Sequence, residues 1–135
     1  MIKRLPLVSA TIAVIERSGR YLVSRRRAGG HLGGLWEFPG GKRQRGESWP
    51  ACVRRELCEE LGVEVACAGR LAPIRFAYPD RRVRLEVFRC RIARGRPRAL
   101  RVQAIRWVTP AQLARLRVPP ANHALIQRLT RIRDA

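Results

Sequence analysis

A chain of 135 residues, 46% of them apolar, is long enough for one domain with a hydrophobic core and too short for two. Its best candidate for a membrane span, Leu7 to Ile15, is interrupted by Ser9 and Thr11 and is far shorter than the roughly 20 residues a spanning helix requires. The formal net charge of +19 would draw polyanions such as nucleotides or nucleic acid. Lys3 and Lys42 are the only lysines, and the arginines are spread along the whole chain. A coding bias toward arginine would look the same, so charge alone assigns no function. The start, MIKRLPL, does not read as a signal peptide, and a cytoplasmic protein is expected. Cys52, Cys58, Cys67 and Cys90 form no C-x-x-C pair and have no histidine at zinc-ligand spacing. They are expected to be small buried hydrophobes rather than disulfides.

No repeat, low-complexity run or linker divides the sequence. Leu7 to Glu16, rich in Val, Ile and Thr, predicts a strand, and Arg17 to Arg20 a turn into a partner strand at Tyr21 to Ser24. Four glycines make Arg27 to Gly34 a loop. Trp36 to Phe38 is a short extended piece, stopped by Pro39-Gly40-Gly41. A helix follows, with Ser48 as its N-cap and Gly62 as its stop; Val53, Leu57 and Leu61 recur every four residues as its buried stripe. Val63 to Ala68, Ile74 to Tyr78, Val83 to Ile92 and Ala104 to Val108 read as strands, with a turn at Pro79-Asp80. Thr109 caps a short helix through Leu116, and Ala121 to Ile132 forms the last one. The expected architecture is mixed α/β, a mixed sheet with helices on both sides.

The chemical signal is the first helix. The chain has ten acidic residues, yet Glu56, Glu59 and Glu60 crowd one helical face. For a bare E-x-x-E-E, a solvated acidic face with Arg55 pairing to Glu59 is the better explanation; a hard divalent cation with oxygen ligands is the alternative. The surrounding residues decide between them. Gly41, Glu47, Arg55, Glu56, Leu57, Glu59, Glu60, Gly62 and Val63 fit G-x5-E-x7-R-E-U-x-E-E-x-G-U, with U aliphatic, at every fixed position.

This stretch, residues 41 to 63, resembles the box of the Nudix hydrolases. The resemblance implies a loop-helix-loop within a Nudix fold that covers residues 1 to 135 as one domain. It also implies a Mg²⁺ cofactor (Mn²⁺ as a substitute), a nucleotide substrate and a monomer that needs no membrane. Gly41 would let the chain turn sharply, Glu47 would reach over the amino end of the helix, and Arg55 would hold a neighbouring carboxylate with its planar fork. Glu56, Glu59 and Glu60 would bind the metal together with the Gly40 carbonyl, and the metal would lower the pKa of an attacking water.

The segments SRRRAGGH, LWEFPGGK, YPDRR and PPAN look like the MutT branch, which hydrolyses oxidised guanine nucleotides such as 8-oxo-dGTP to the monophosphate and pyrophosphate. By that likeness Asn122 would read the base edge; the alternative is a cap residue of the last helix. Arg26, His31, Glu37, Phe38, Pro39 and Gly40 would line the nucleotide site, with Asp80 and Arg81 at its rim. His31 is otherwise an ordinary loop residue, Phe38 core, and Asp80-Arg81 a turn. One departure stands out. Where the MutT branch places a further acid before the last strand, this chain has Arg101, and residues 94 to 106 contain no Asp or Glu. Other substrates in the same class are CTP or another nucleoside triphosphate, dinucleoside polyphosphates or an RNA 5′ end. A silent module that reads an oxidised base is the reading from a different class, and the intact box glutamates speak against it.

Overall fold

A computed structural model describes residues 4–30 and 32–134, for 132–134 the backbone alone. Its elements are β1 (Leu7–Arg17), β2 (Arg20–Arg25), β3 (Trp36–Glu37), β4 (Gly40–Lys42), α1 (Trp49–Leu61), β5 (Glu64–Ala77), β6 (Arg82–Arg94), β7 (Ala104–Val108), α2 (Pro110–Leu113) and α3 (Pro120–Asp134). The sheet runs β3-β2-β1-β6-β5, with β4 added to β1 and β7 to β2. β1 and β6 pair in parallel from Leu7–Arg82 to Ile15–Cys90, while the other pairs are antiparallel.

The period-2 alternation of β1 builds both cores at once. Ala10, Ile12 and Val14 face one core with Val87, Leu125 and Leu129, under α2 and α3. Ala13 and Ile15 face the other with Val53, Leu57 and Leu61 of α1. The expected mixed sheet between helices is what the chain forms. Burying each of the α1 leucines contributes about 1.5–3 kcal/mol, so α1 is pinned to the sheet by the stripe read from its sequence. Its start is capped by the Ser48 hydroxyl, which accepts from the Ala51 N–H, and Gly62 closes it in the left-handed conformation.

Three local readings change. Val63 to Ala68 and Ile74 to Tyr78 are not separate strands: one long strand, β5, follows β6 throughout and absorbs the intervening residues in register shifts between Cys67 and Gly69 and between Leu71 and Ile74. Pro39-Gly40-Gly41 does not simply end an extended piece, because Gly40 and Gly41 enter β4 and pair with Ile12 and Thr11. Cys52 and Cys90 are buried as expected, but Cys58 is exposed and Cys67 half-buried. Cys67 lies opposite Cys90 on the neighbouring strand, and burial with that neighbour pushes the Cys90 thiol up to about 12. No helix among the described residues is long and apolar enough to cross a membrane.

Candidate active site

The pairing of β4 with β1 brings the start of the Gly-rich segment against α1. Gly40 approaches β1 so closely that a Cβ there would run into the Thr11 carbonyl, and a Cβ on Gly41 would occupy the place of the Glu56 carboxylate. Gly41 is thus needed for space beside a carboxylate, and not for the sharp turn its position suggested.

Arg55 organises the acids. Its Nε donates to Glu47 Oε2 at 2.6 Å and its Nη2 to Glu47 Oε1 at 2.9 Å, a bidentate fork. Its Nη1 donates to Glu56 Oε1 at 2.8 Å and to Glu59 Oε2 at 3.2 Å, and its Nη2 also reaches the Lys42 carbonyl at 3.0 Å. The fork holds the Glu47 carboxyl well below its ordinary value, at about 2, and the same contacts raise the guanidinium above its own. Glu60 points elsewhere, its Oε2 accepting the Gly40 N–H at 3.3 Å. Burial, with Glu56 and then Glu37 nearby, pushes Glu60 up to about 8. Burial also pushes Glu37 up, while Arg26, at 3.0 Å, pulls it back.

Among the described residues, no three acid, histidine or cysteine side chains already close on one metal-sized point. Arg55 holds Glu56 and Glu59, while the Glu60 carboxylate accepts the Gly40 N–H. The donor chemistry nonetheless fits a hard divalent cation. Every donor is oxygen, and burial with two neighbouring carboxylates disfavours the negative form of Glu60 more than the Gly40 N–H and Arg26 favour it.

Beside Glu60 opens a cleft of about 380 Å³, with Glu37, Phe38, Gly40, Arg26 and Arg81 on its walls. Phe38 is both lining and core, being 1% exposed. The far end is formed by Val83 and Leu85 of β6, Tyr78 and Asn122. Asn122 is 4% exposed, and its Oδ1 has no hydrogen-bond partner among the described residues. The role of capping α3 therefore falls away for that oxygen. The α3 start is instead tied by the Asn122 N–H to the Pro119 carbonyl and by the Ala121 N–H to the Tyr78 hydroxyl.

Two expected lining residues are elsewhere. Pro39 is buried with its carbonyl accepting the Ala13 N–H at 2.8 Å, and Asp80 is exposed beside Arg81, 2.9 Å from its Nη2. Neither borders the cleft. His31 lies outside the described residues. Residues that sequence reasoning missed are Arg27, Lys42 and Tyr78, all on the cleft wall. Lys42 stands inside the box spacing at an unconstrained position, and Tyr78 precedes the Pro79-Asp80 turn; only the fold gives either a reason to be singled out.

A mixed sheet lies between helices, with a glycine-bounded loop and an acidic helix beside a cleft. The NUDIX domain family matches residues 10–128. A CTP pyrophosphohydrolase of Escherichia coli is 31% identical over 96% of this chain and 96% of its own length. A putative 8-oxo-dGTP diphosphatase of Mycobacterium tuberculosis is 38% identical over 87% of this chain and 84% of its own. The crystal structure of a MutT NUDIX hydrolase from Burkholderia pseudomallei superposes with a TM-score of 0.83 at 26% identity, covering 92% of this chain and 98% of that one. The chain belongs to the Nudix hydrolase family. It is an enzyme of a family that works with a divalent metal.

Proposed function

We propose that this hydrolase is a Mg²⁺-dependent nucleoside triphosphate pyrophosphohydrolase that acts on 8-oxo-dGTP, with Mn²⁺ as a substitute ion. The observation that carries the base assignment is Asn122: a buried side chain on the wall of a largely apolar cleft that Glu60 also lines, with an amide oxygen that has no partner among the described residues. Leaving such a group unpaired costs about 1–3 kcal/mol, and a purine edge that donates to it removes the cost. Phe38, Val83 and Leu85 supply apolar walls for the base, and the cleft volume falls in the range of small-ligand sites.

At the other end Glu56, Glu59 and Glu60, with the Gly40 carbonyl, would hold the ion. Bound there, it supplies neutralisation of the diphosphate charge and a water of lowered pKa. Arg55 gathers Glu47, Glu56 and Glu59 around one guanidinium; with both Glu47 oxygens in the fork, a box glutamate outside that bidentate pair accepts the proton from the attacking water. Water oxygen bonds to phosphorus, the bridging P–O bond breaks, and the products are 8-oxo-dGMP and pyrophosphate. Arg26 and Arg81 offset the triphosphate charge at the wall. On this reading the chain works as one Nudix domain, as a monomer, in the cytosol where nucleotide pools are cleansed.

The test is a hydrolysis panel of 8-oxo-dGTP, dGTP, CTP, a dinucleoside polyphosphate and a 5′-triphosphate RNA, with and without Mg²⁺ and with products identified. Metal-dependent release of pyrophosphate, fastest from 8-oxo-dGTP, is the expected result. Fastest turnover of CTP would replace the base assignment with that of the Escherichia coli relative.

A further inference from the structure

The lips over the acid end of the cleft are cationic. Arg26 and Arg27 enter it from one side and Arg101 from the other. The Leu100 and Arg101 N–H groups donate to the Glu60 carbonyl at 3.0 and 3.2 Å, and the Arg98 N–H to the Leu61 carbonyl at 2.9 Å, satisfying carbonyls that the end of α1 leaves open. Across the mouth, Arg27 Nη2 donates to the Leu100 carbonyl at 3.3 Å and the Gln103 N–H to the Arg25 carbonyl at 2.9 Å. The two loops are joined, so the backbone of Arg101 has a fixed place beside the end of the acidic helix.

Its side chain is held far less firmly. It is 68% exposed, and its charge contact among the described residues is Glu59 Oε2 at 3.6 Å. That oxygen already accepts from Arg55 Nη1 at 3.2 Å. An exposed ion pair of this length contributes little, so the Arg101 guanidinium can change partner at little cost. With no acid anywhere from residue 94 to 106, this lip offers cationic side chains that bind phosphate and no carboxylate that would bind metal.

We propose that Arg101 sets the number of phosphates the substrate carries, exchanging Glu59 for the terminal phosphate of a nucleoside triphosphate and so favouring triphosphates over diphosphates of the same base. A guanidinium fork matches two phosphate oxygens, whereas with Glu59 it makes one long contact. The exchange also leaves Glu59 with Arg55 as its remaining cationic partner, so substrate arrival loosens one of the carboxylates at the reacting end. Arg101 acts here as a specificity residue. The inference rests on the pyrophosphohydrolase reading above and on no particular base.

The test compares kcat/KM for dGTP against dGDP, and for CTP against CDP, in the wild type, Arg101→Ala and Arg101→Lys. Calorimetric binding of the α,β-imido analogues of dGTP and dGDP, with Mg²⁺ present, is measured alongside. The wild type prefers the triphosphate in each pair. Arg101→Ala lowers triphosphate kcat/KM by about tenfold, chiefly through KM, lowers the diphosphate value much less, and Arg101→Lys recovers part of the triphosphate loss. A far-ultraviolet circular dichroism spectrum like that of the wild type shows that the variant is folded. Equal losses on both members of a pair, or a wild type without triphosphate preference, overturn the proposal. A wild type that favours cytidine nucleotides would remove the base assignment and leave the phosphate ratio readable. If no nucleotide were hydrolysed, the activity would fall, and analogue binding would still decide the role of Arg101.

Discussion

At the acid end of the cleft, the box carboxylates come from residues 41 to 63, and one arginine fork holds three of them. The other end is assembled from the end of β5, the middle of β6, the segment after β3 and the start of α3: Tyr78, Leu85, Phe38 and Asn122. One end is a short stretch of chain bent onto itself, and the other exists only once the sheet has closed. On the proposed function, reaction chemistry is kept by preserving a local motif, while the base that fits is set by residues scattered over the fold. That division is consistent with relatives named for CTP and for 8-oxo-dGTP both matching most of this chain.

The largest effect expected is at the acid end. Glu60→Gln or Glu59→Gln should lower kcat by about a thousandfold, roughly 4 kcal/mol of barrier, for every nucleotide alike. The circular dichroism spectrum and melting temperature should stay near those of the wild type, because neither side chain belongs to the buried stripe of α1. Near-native turnover in both variants would take the box out of the mechanism. Unequal losses across bases would show that the two ends are not separable.

The same division explains what the sequence revealed. Glu47, Arg55, Glu56, Glu59 and Glu60 were legible because helical spacing and a fixed loop length determine which of them can meet. How they meet was not legible, since the Arg55 fork competes for two of the carboxylates and the Gly40 N–H for a third. Asn122 was singled out by likeness alone, and only its burial shows that its oxygen lacks a partner. The places of Pro39 and Asp80 were hidden for a related reason. Residues adjacent in sequence were taken together, while backbone pairing turned Pro39 into β1 and left Asp80 outside, paired with Arg81. Arg27 and Tyr78 carry no local signal, because their partners Leu100 and Ala121 are distant in the chain.

A smaller effect sharpens the comparison through pH. The folded-state value of Glu47, about 2, lies below its ordinary value of 4.5. Stabilisation from its pair with Arg55 is thus fully present above about pH 4.5 and lost as the pH falls toward about 2. Melting temperatures between pH 2 and 5 should fall more steeply for the wild type than for Glu47→Gln, and parallel curves would mean that the fork contributes nothing to folding.

The central claim, that one end reacts and the other selects, is tested most directly by kcat/KM for 8-oxo-dGTP, dGTP and CTP in the wild type and in Asn122→Ala. The account predicts that the wild type favours 8-oxo-dGTP and that the variant loses about 1–3 kcal/mol of that preference, while hydrolysis of the poorer substrates changes little. A uniform fall on all three nucleotides would show that Asn122 supports the fold and does not read the base. A wild type that favours dGTP or CTP would contradict the assignment outright.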